Sequence, residues 1–140
     1  MIESVAGGVV PDGDLVIGVT LDARFPPREL FRGRVVVSDQ ELDLALVEID
    51  RGLYDRPLPQ DYRFVFLELG DSEALRIGSP LSIVGYPSVG GQGFKVGINY
   101  TRGVISGFDP RSIGSIIKTD ADIGGGNSGG AALDEHFRLV

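Results

Sequence analysis

Asp120-Ala121-Asp122-Ile123-Gly124-Gly125-Gly126-Asn127-Ser128-Gly129-Gly130 is the stretch around which the rest of the sequence is organised. A serine set between glycines, after a run of three more, sits on backbone free to fold tightly and to aim N–H groups at whatever its hydroxyl attacks. Those are the requirements of a nucleophile beside an oxyanion hole. Clusters of Gly, Asn and Ser also build ordinary surface loops, so the stretch acquires meaning only from what surrounds it.

With 140 residues, 42% of them hydrophobic and 24% charged, the chain has the composition of one globular domain with a real core. No apolar run approaches the length that a membrane helix needs. The net charge is −7 and the 13 Lys and Arg are scattered singly, so the basic stripe of a nucleic-acid binder is missing. There is no cysteine, hence no disulfide and no thiolate metal site, and a single histidine, His136, excludes a multi-histidine metal centre within the chain. Neither a metal nor another cofactor is expected. Met1-Ile2-Glu3-Ser4 has neither the basic start nor the apolar stretch of a secretory signal.

Moving outward from the serine, 21 glycines and eight prolines punctuate short segments rich in Val and Ile, with no sustained period of 3.6. The expected class is all-β. Alternation places strands at 14–21, 32–38, 42–49, 63–69, 80–85, 95–106, 113–118, 130–133 and 137–140. Turn formers separate them, among them Pro11-Asp12-Gly13-Asp14, Phe25-Pro26-Pro27, Pro57-Leu58-Pro59 and the glycine-rich loop from Ser88 to Gly93. Strands this short and regularly spaced form a barrel or a sandwich.

Several motifs fall in one order along the chain. Asp43-Leu44-Ala45-Leu46-Val47 opens an apolar segment. Leu69-Gly70-Asp71-Ser72-Glu73-Ala74-Leu75-Arg76-Ile77-Gly78, then Gly85-Tyr86-Pro87, then Gly103-Val104-Ile105-Ser106 follow it, and Thr119-Asp120 precedes Gly126-Asn127-Ser128-Gly129-Gly130. Together these resemble the trypsin-like serine proteases, in particular their HtrA-type branch. The resemblance implies a trypsin-like double six-stranded β-barrel, incomplete at both termini, with residues 1–58 the remainder of the N-terminal barrel and 59–140 most of the C-terminal one. It implies a serine endopeptidase that cleaves polypeptides through an acyl-enzyme on Ser128, with the N–H groups of Gly126 and Ser128 as the oxyanion hole and a periplasmic or secreted setting. Asp43 would then be the carboxylate that holds a histidine in the right tautomer, a task that needs burial, which the start of an apolar strand is expected to provide. Asp39 and Glu41 read as solvated neighbours, and Ser72, after an aspartate before a short turn, reads as part of a cap rather than as a second nucleophile.

The sequence departs from the family in three ways. No histidine precedes Asp43, although Ile2-Glu3-Ser4-Val5 would fit directly after the family's Thr-x-x-His, so the expectation is a chain that starts just past its catalytic histidine and stops before the strand that binds substrate backbone. The only histidine, His136, lies eight residues after Ser128 in a polar turn and is expected to be solvated rather than a base. Asp122, six residues before Ser128, stands where digestive trypsins carry the acid that selects Arg or Lys, and it reads either as such a pocket acid or as a surface-loop acid. These 140 residues alone are therefore expected to be inactive, with a non-catalytic peptide- or protein-binding relative as the alternative and a plain β-barrel interaction module as a third reading. Absent terminal strands would leave open sheet edges and self-association through them.

Overall fold

The computed structural model describes residues 14–87, 97–111 and 115–140. Ile2–Val10, the Pro11-Asp12-Gly13 turn and the Ser88–Gly93 loop lie outside the described residues. The class is all-β, as expected. Among the described residues seven strands, β1 (Leu15–Val19), β2 (Arg28–Asp39), β3 (Leu44–Gly52), β4 (Pro80–Gly85), β5 (Asn99–Pro110), β6 (Ser115–Thr119) and β7 (Ala131–Leu133), pair antiparallel throughout. The contacts divide the described chain into two units, residues 14–64 with 97–98, and residues 65–87, 99–111 and 115–140.

The first unit is the meander β1-β2-β3. Among the described residues, Ile17, Phe31 and Ala45, one from each strand, are its buried apolar side chains, and the Phe31 ring meets Tyr62 and Phe64 edge-on at centroid distances of 5.9 and 5.4 Å. Residues 40–43 turn β2 into β3: Asp39 Oδ1 accepts the N–H groups of Glu41 and Leu42 at 2.9 and 3.0 Å, a side chain standing in for a backbone turn. Strand β2 starts at Arg28, four residues before the expected boundary, because Gly18 and Val19 of β1 pair with Glu29 and Arg28 and draw that segment into the sheet. Charge ties the two edge strands together. Arg51, on β3, donates to Asp14 at the start of β1, and also to Asp50 and Asp55, both at 2.7 Å.

In the second unit the strand order is β6-β5-β4-β7. Strand β5 is long enough to serve two partners: Asn99–Val104 pairs with β4 and Ile105–Pro110 with β6. Alternation puts Leu81, Ile83 and Gly85 on one face of β4, and Thr101, Gly103 and Ile105 on one face of β5. Leu81 (2% exposed), Ile83 and Ile105 (0%) form the core with Ala121, and Leu75, Phe108, Ile117, Ala132 and Val140 pack around it. A side chain as buried as Ile105 contributes about 2–3 kcal/mol. After β7, Asp134 organises a turn. Its Oδ1 accepts the N–H groups of His136 and Arg138, and its Oδ2 accepts the Arg138 guanidinium at 2.8 Å. Burial alone would push this carboxyl up; the Arg138 and His136 hydrogen bonds together outweigh that and hold it below the ordinary carboxylate value.

Two expected strands are corrected. Residues 63–69 and 137–140 form no strand; they meet in a single parallel bridge between Leu69 and Leu139, with Leu139 N–H donating to Glu68 O at 2.8 Å and Gly70 N–H to Leu139 O at 2.7 Å. Val65 and Phe66 are 103% and 81% exposed. Apolar composition supplied the signal for a strand, but a strand also needs a ladder on its flank, and here there are only isolated bridges, Leu69 to Leu139 and Leu133 to Leu139. The cap reading at Ser72 is correct in kind: Asp71 Oδ1 accepts Glu73 N–H at 3.0 Å and starts the 3-10 turn Ser72–Ala74.

The Arg51 hub makes the first unit acid-sensitive in a specific way. The hydrogen bond from Arg51 holds the Asp14 carboxyl below its ordinary value, against the effect of burial and with help from the Arg51 and Arg32 charges. A lowered folded-state value stabilises above the unfolded-state value and is lost as pH falls through the folded one. Arg51→Met should therefore be less stable than the parent to urea at neutral pH, with the gap closing at acidic pH, below the ordinary carboxylate range, as Asp14 takes up its proton. An equal gap at both pH values would mean that Arg51 acts by packing alone.

Candidate nucleophile loop

Strands β6 and β7 are the two opposite edges of the four-stranded sheet, so the residues between them must travel past β5 and β4, about 14 Å at the usual strand spacing. Those residues are Asp120–Gly130, the stretch on which the sequence turns. Their path is held at both ends.

At the β6 end the clamp is on Val104 of β5. Thr119 Oγ1 donates to Val104 O at 2.9 Å, Asp120 N–H donates to the same oxygen at 3.3 Å, and Asp120 Oδ1 accepts Val104 N–H at 2.7 Å. Ala121 N–H then returns to Thr119 Oγ1 at 3.1 Å. The chain can lie this close only because Gly103 is beneath it: a Cβ there would overlap Ala121 N and Asp120 Oδ1. With that space open, the Ala121 methyl drops into the core, 7% exposed. At the β7 end, Asn127 lies over Gly85, where a Cβ would overlap Asn127 Oδ1, and Gly130 runs against Val84 O.

Between the two anchors the backbone closes two tight turns, Asn127 N–H to Gly124 O at 3.3 Å and Gly130 N–H to Asn127 O at 2.9 Å. Gly126 and Gly129 have φ of 95° and 76°, a region that side chains resist. The turns use the N–H groups of Asn127 and Gly130. Among the described residues, those of Gly126 and Ser128 have no protein acceptor, and the Ser128 hydroxyl, exposed, has no partner. Asp122 is exposed on the same loop.

Asp43 belongs to the other unit. It is exposed, in the β2–β3 turn with φ 54°, and strand β3 begins only at Leu44. The expected burial of this carboxylate is thus not found: the turn projects past the strand, and aspartate there tolerates the left-handed backbone that closes the hairpin. His136 is exposed, its backbone N–H on Asp134 Oδ1. Among the described residues no cluster of His, Asp or Glu could hold a metal ion, and no helix is long and apolar enough to cross a membrane. Sequence reasoning placed Gly85 and Gly103 in motifs but missed that the loop rests on them, and missed the hydrogen bonding of Asp120. The signal was available: in Leu81-x-Ile83-x-Gly85 and Gly103-x-Ile105 a glycine takes an inward position where the alternation calls for an apolar side chain.

Comparison with known proteins points the same way. The sequence pattern described as a trypsin-like peptidase domain matches residues 6–140. The chain is 28% identical over its whole length to the periplasmic serine endoprotease DegP of Salmonella typhimurium, covering 28% of that protein, and 38% identical over 79% of its length to a probable periplasmic DegP-like endoprotease of Rickettsia prowazekii, covering 20% of it. It therefore spans under a third of these relatives. Among solved structures it is similar to the HtrA-type protease AlgW with a tripeptide, at TM-score 0.57 and 31% identity over 78% of this chain and 33% of that one. The crystal structure of Deg5 gives 0.55 and 28%, over 79% and 49%.

The left-handed turn at Asp43 can be tested without reference to catalysis. Asp43→Gly should keep or slightly raise stability, whereas Asp43→Val should lose about 1–2 kcal/mol in urea unfolding; equal stabilities would show that the backbone there is unconstrained.

Proposed function

The chain belongs to the HtrA-type trypsin-like peptidases, and on that premise we propose that it is part of a serine endopeptidase with Ser128 as the nucleophile. In this reading Ser128 Oγ attacks a peptide carbonyl carbon and gives its proton to an imidazole. The tetrahedral oxyanion is met by the N–H groups of Gly126 and Ser128. The imidazolium then returns the proton to the leaving amine, and water hydrolyses the acyl-enzyme. The observation that carries the reading is the division of labour in the loop: its turns consume the amides of Asn127 and Gly130 and leave those of Gly126 and Ser128 for a ligand. One such donor is worth about 3 kcal/mol in the transition state.

Asp43 is the proposed partner of the imidazole, and its exposure in the β2–β3 turn suits a carboxylate that another group covers. That group comes from outside these 140 residues, since the one histidine they contain is held in the Asp134 turn. The 140 residues by themselves should hydrolyse peptides slowly or not at all. Residues 1–58 and 59–140 are proposed to contribute to the two barrels of the family, polypeptides are the proposed substrates, and the setting suggested by the relatives' names is periplasmic. A peptide-binding relative without turnover is the reading that remains if Ser128 proves inert.

A serine-directed fluorophosphonate tests this directly. Labelling should be slow, quicken when free imidazole supplies the missing base, and vanish in Ser128→Ala. Labelling that survives Ser128→Ala would remove the nucleophile, and rapid labelling without imidazole would place a base within the 140 residues. Asp122 on the loop is proposed to favour cleavage after Arg or Lys. A preference for basic reporter peptides over neutral ones, read with imidazole present, should collapse in Asp122→Ala; an unchanged preference would remove that role.

A further inference from the structure

We propose that Gly85 and Gly103 are the two seats on which the nucleophile loop is mounted, and that Asn127 and Asp120 are positioning residues that lock it onto them. The inference rests on the reading of Ser128 as nucleophile. It goes beyond that reading in assigning to the sheet the task of setting where the Gly126 and Ser128 amides stand.

Three observations converge on it. The first is topological: a loop joining opposite edges of the sheet has to pass β5 and β4, and a side chain on either would lift it. The second is that a glycine is found at each crossing, on the inward face that otherwise carries Leu81, Ile83 and Ile105. Neither Gly85 nor Gly103 has a positive φ, so the backbone there would accept an alanine; only the passing chain excludes it. The third is that each seat faces a side chain able to hold the loop down. Asp120 Oδ1 takes the N–H of Val104, the residue next to Gly103. Asn127 Oδ1 lies on Gly85, and Asn127 is the residue between the two free amides. A displacement at Asn127 is therefore passed to Gly126 and Ser128 through one peptide bond on either side.

The roles of the two anchors differ. The Asp120 clamp is a hydrogen bond and survives any substitution that keeps an oxygen acceptor at that point. The Asn127 seat is a steric fit, sensitive to one methyl group on its partner. Misplacing a reacting group by about 1 Å costs on the order of a hundredfold in rate, so a methyl at Gly85 should be expensive for Ser128 even where the fold survives it.

The test uses the full 140-residue chain, with amide resonances followed by NMR and Ser128 followed by fluorophosphonate labelling in imidazole. Gly85→Ala should move the amide signals of Gly126, Asn127 and Ser128, leave those of β6 in place, and slow labelling by at least about tenfold. In Gly85→Ala/Asn127→Ala the overlap with Oδ1 is gone and the nearest remaining loop atom is Asn127 Cα at 3.2 Å, so most of the shift should be reversed. This holds the proposal to account even if Gly85→Ala alone does not fold. At the other anchor, Asp120→Ala should speed hydrogen exchange at Val104 N–H about fivefold to tenfold, and Asp120→Asn should restore it. Unmoved amides in Gly85→Ala, or a double variant as displaced as the single one, would overturn the seat whatever the serine does. Moved amides together with a wild-type serine that takes no probe would leave the seat standing and remove the nucleophile.

Discussion

The second unit depends on one constraint of close approach. A sheet ordered β6-β5-β4-β7 puts consecutive strands on opposite edges, and the eleven residues that join them have to pass over the strands between. Backbone can lie on backbone only where no Cβ intervenes. Gly103 and Gly85 supply those places, Ala121 uses the gap beside one of them to reach the core, and Asn127 settles on the other. The glycines of the loop itself then do a separate job, admitting the left-handed turns at Gly126 and Gly129. Without the two seats the turns would still form, but nothing would fix where they stand.

The first unit solves its own problem by charge. Among the described residues its buried apolar set is small, Ile17, Phe31 and Ala45, with Phe31 backed by Tyr62 and Phe64. Individual surface ion pairs contribute little, yet Arg51 gathers Asp14, Asp50 and Asp55 at one guanidinium and so spans from the start of β1 to the residues after β3. The β2–β3 turn that carries Asp43 is built by Asp39 from one side and by the left-handed Asp43 from the other. A residue with a plain structural use of this kind is also well placed to present a carboxylate outward.

Much of this was legible in the sequence because alternation and glycine punctuation are local signals. The all-β class, β4, β6 and β7 followed from them to within a few residues. The segment 63–69 did not, since Phe64, Val65, Phe66 and Leu67 carry the composition of a strand while pairing depends on Leu139, seventy residues away. Burial at Asp43 failed for a related reason: apolar residues after a carboxylate say that a strand follows, not that the strand has already begun. The Ser128 loop was found by its glycines, but its supports were not. Gly85 and Gly103 look ordinary when read one at a time, and their meaning comes from a chain segment that crosses them only in three dimensions.

The edge-to-edge crossing also has a consequence for biosynthesis. Strand β7 is three residues long, and it joins β4 only after the loop has passed over β5. On a ribosome the chain emerges from its N-terminus, so the serine is made after β4, β5 and β6 but before the strand that holds down its far side. A nascent or partly denatured molecule can therefore display the Gly-Asn-Ser-Gly-Gly segment, but not in register with its seats. The proposed protease would thus become competent only once β7 has docked, and copies without it would be shielded from one another by the order of assembly.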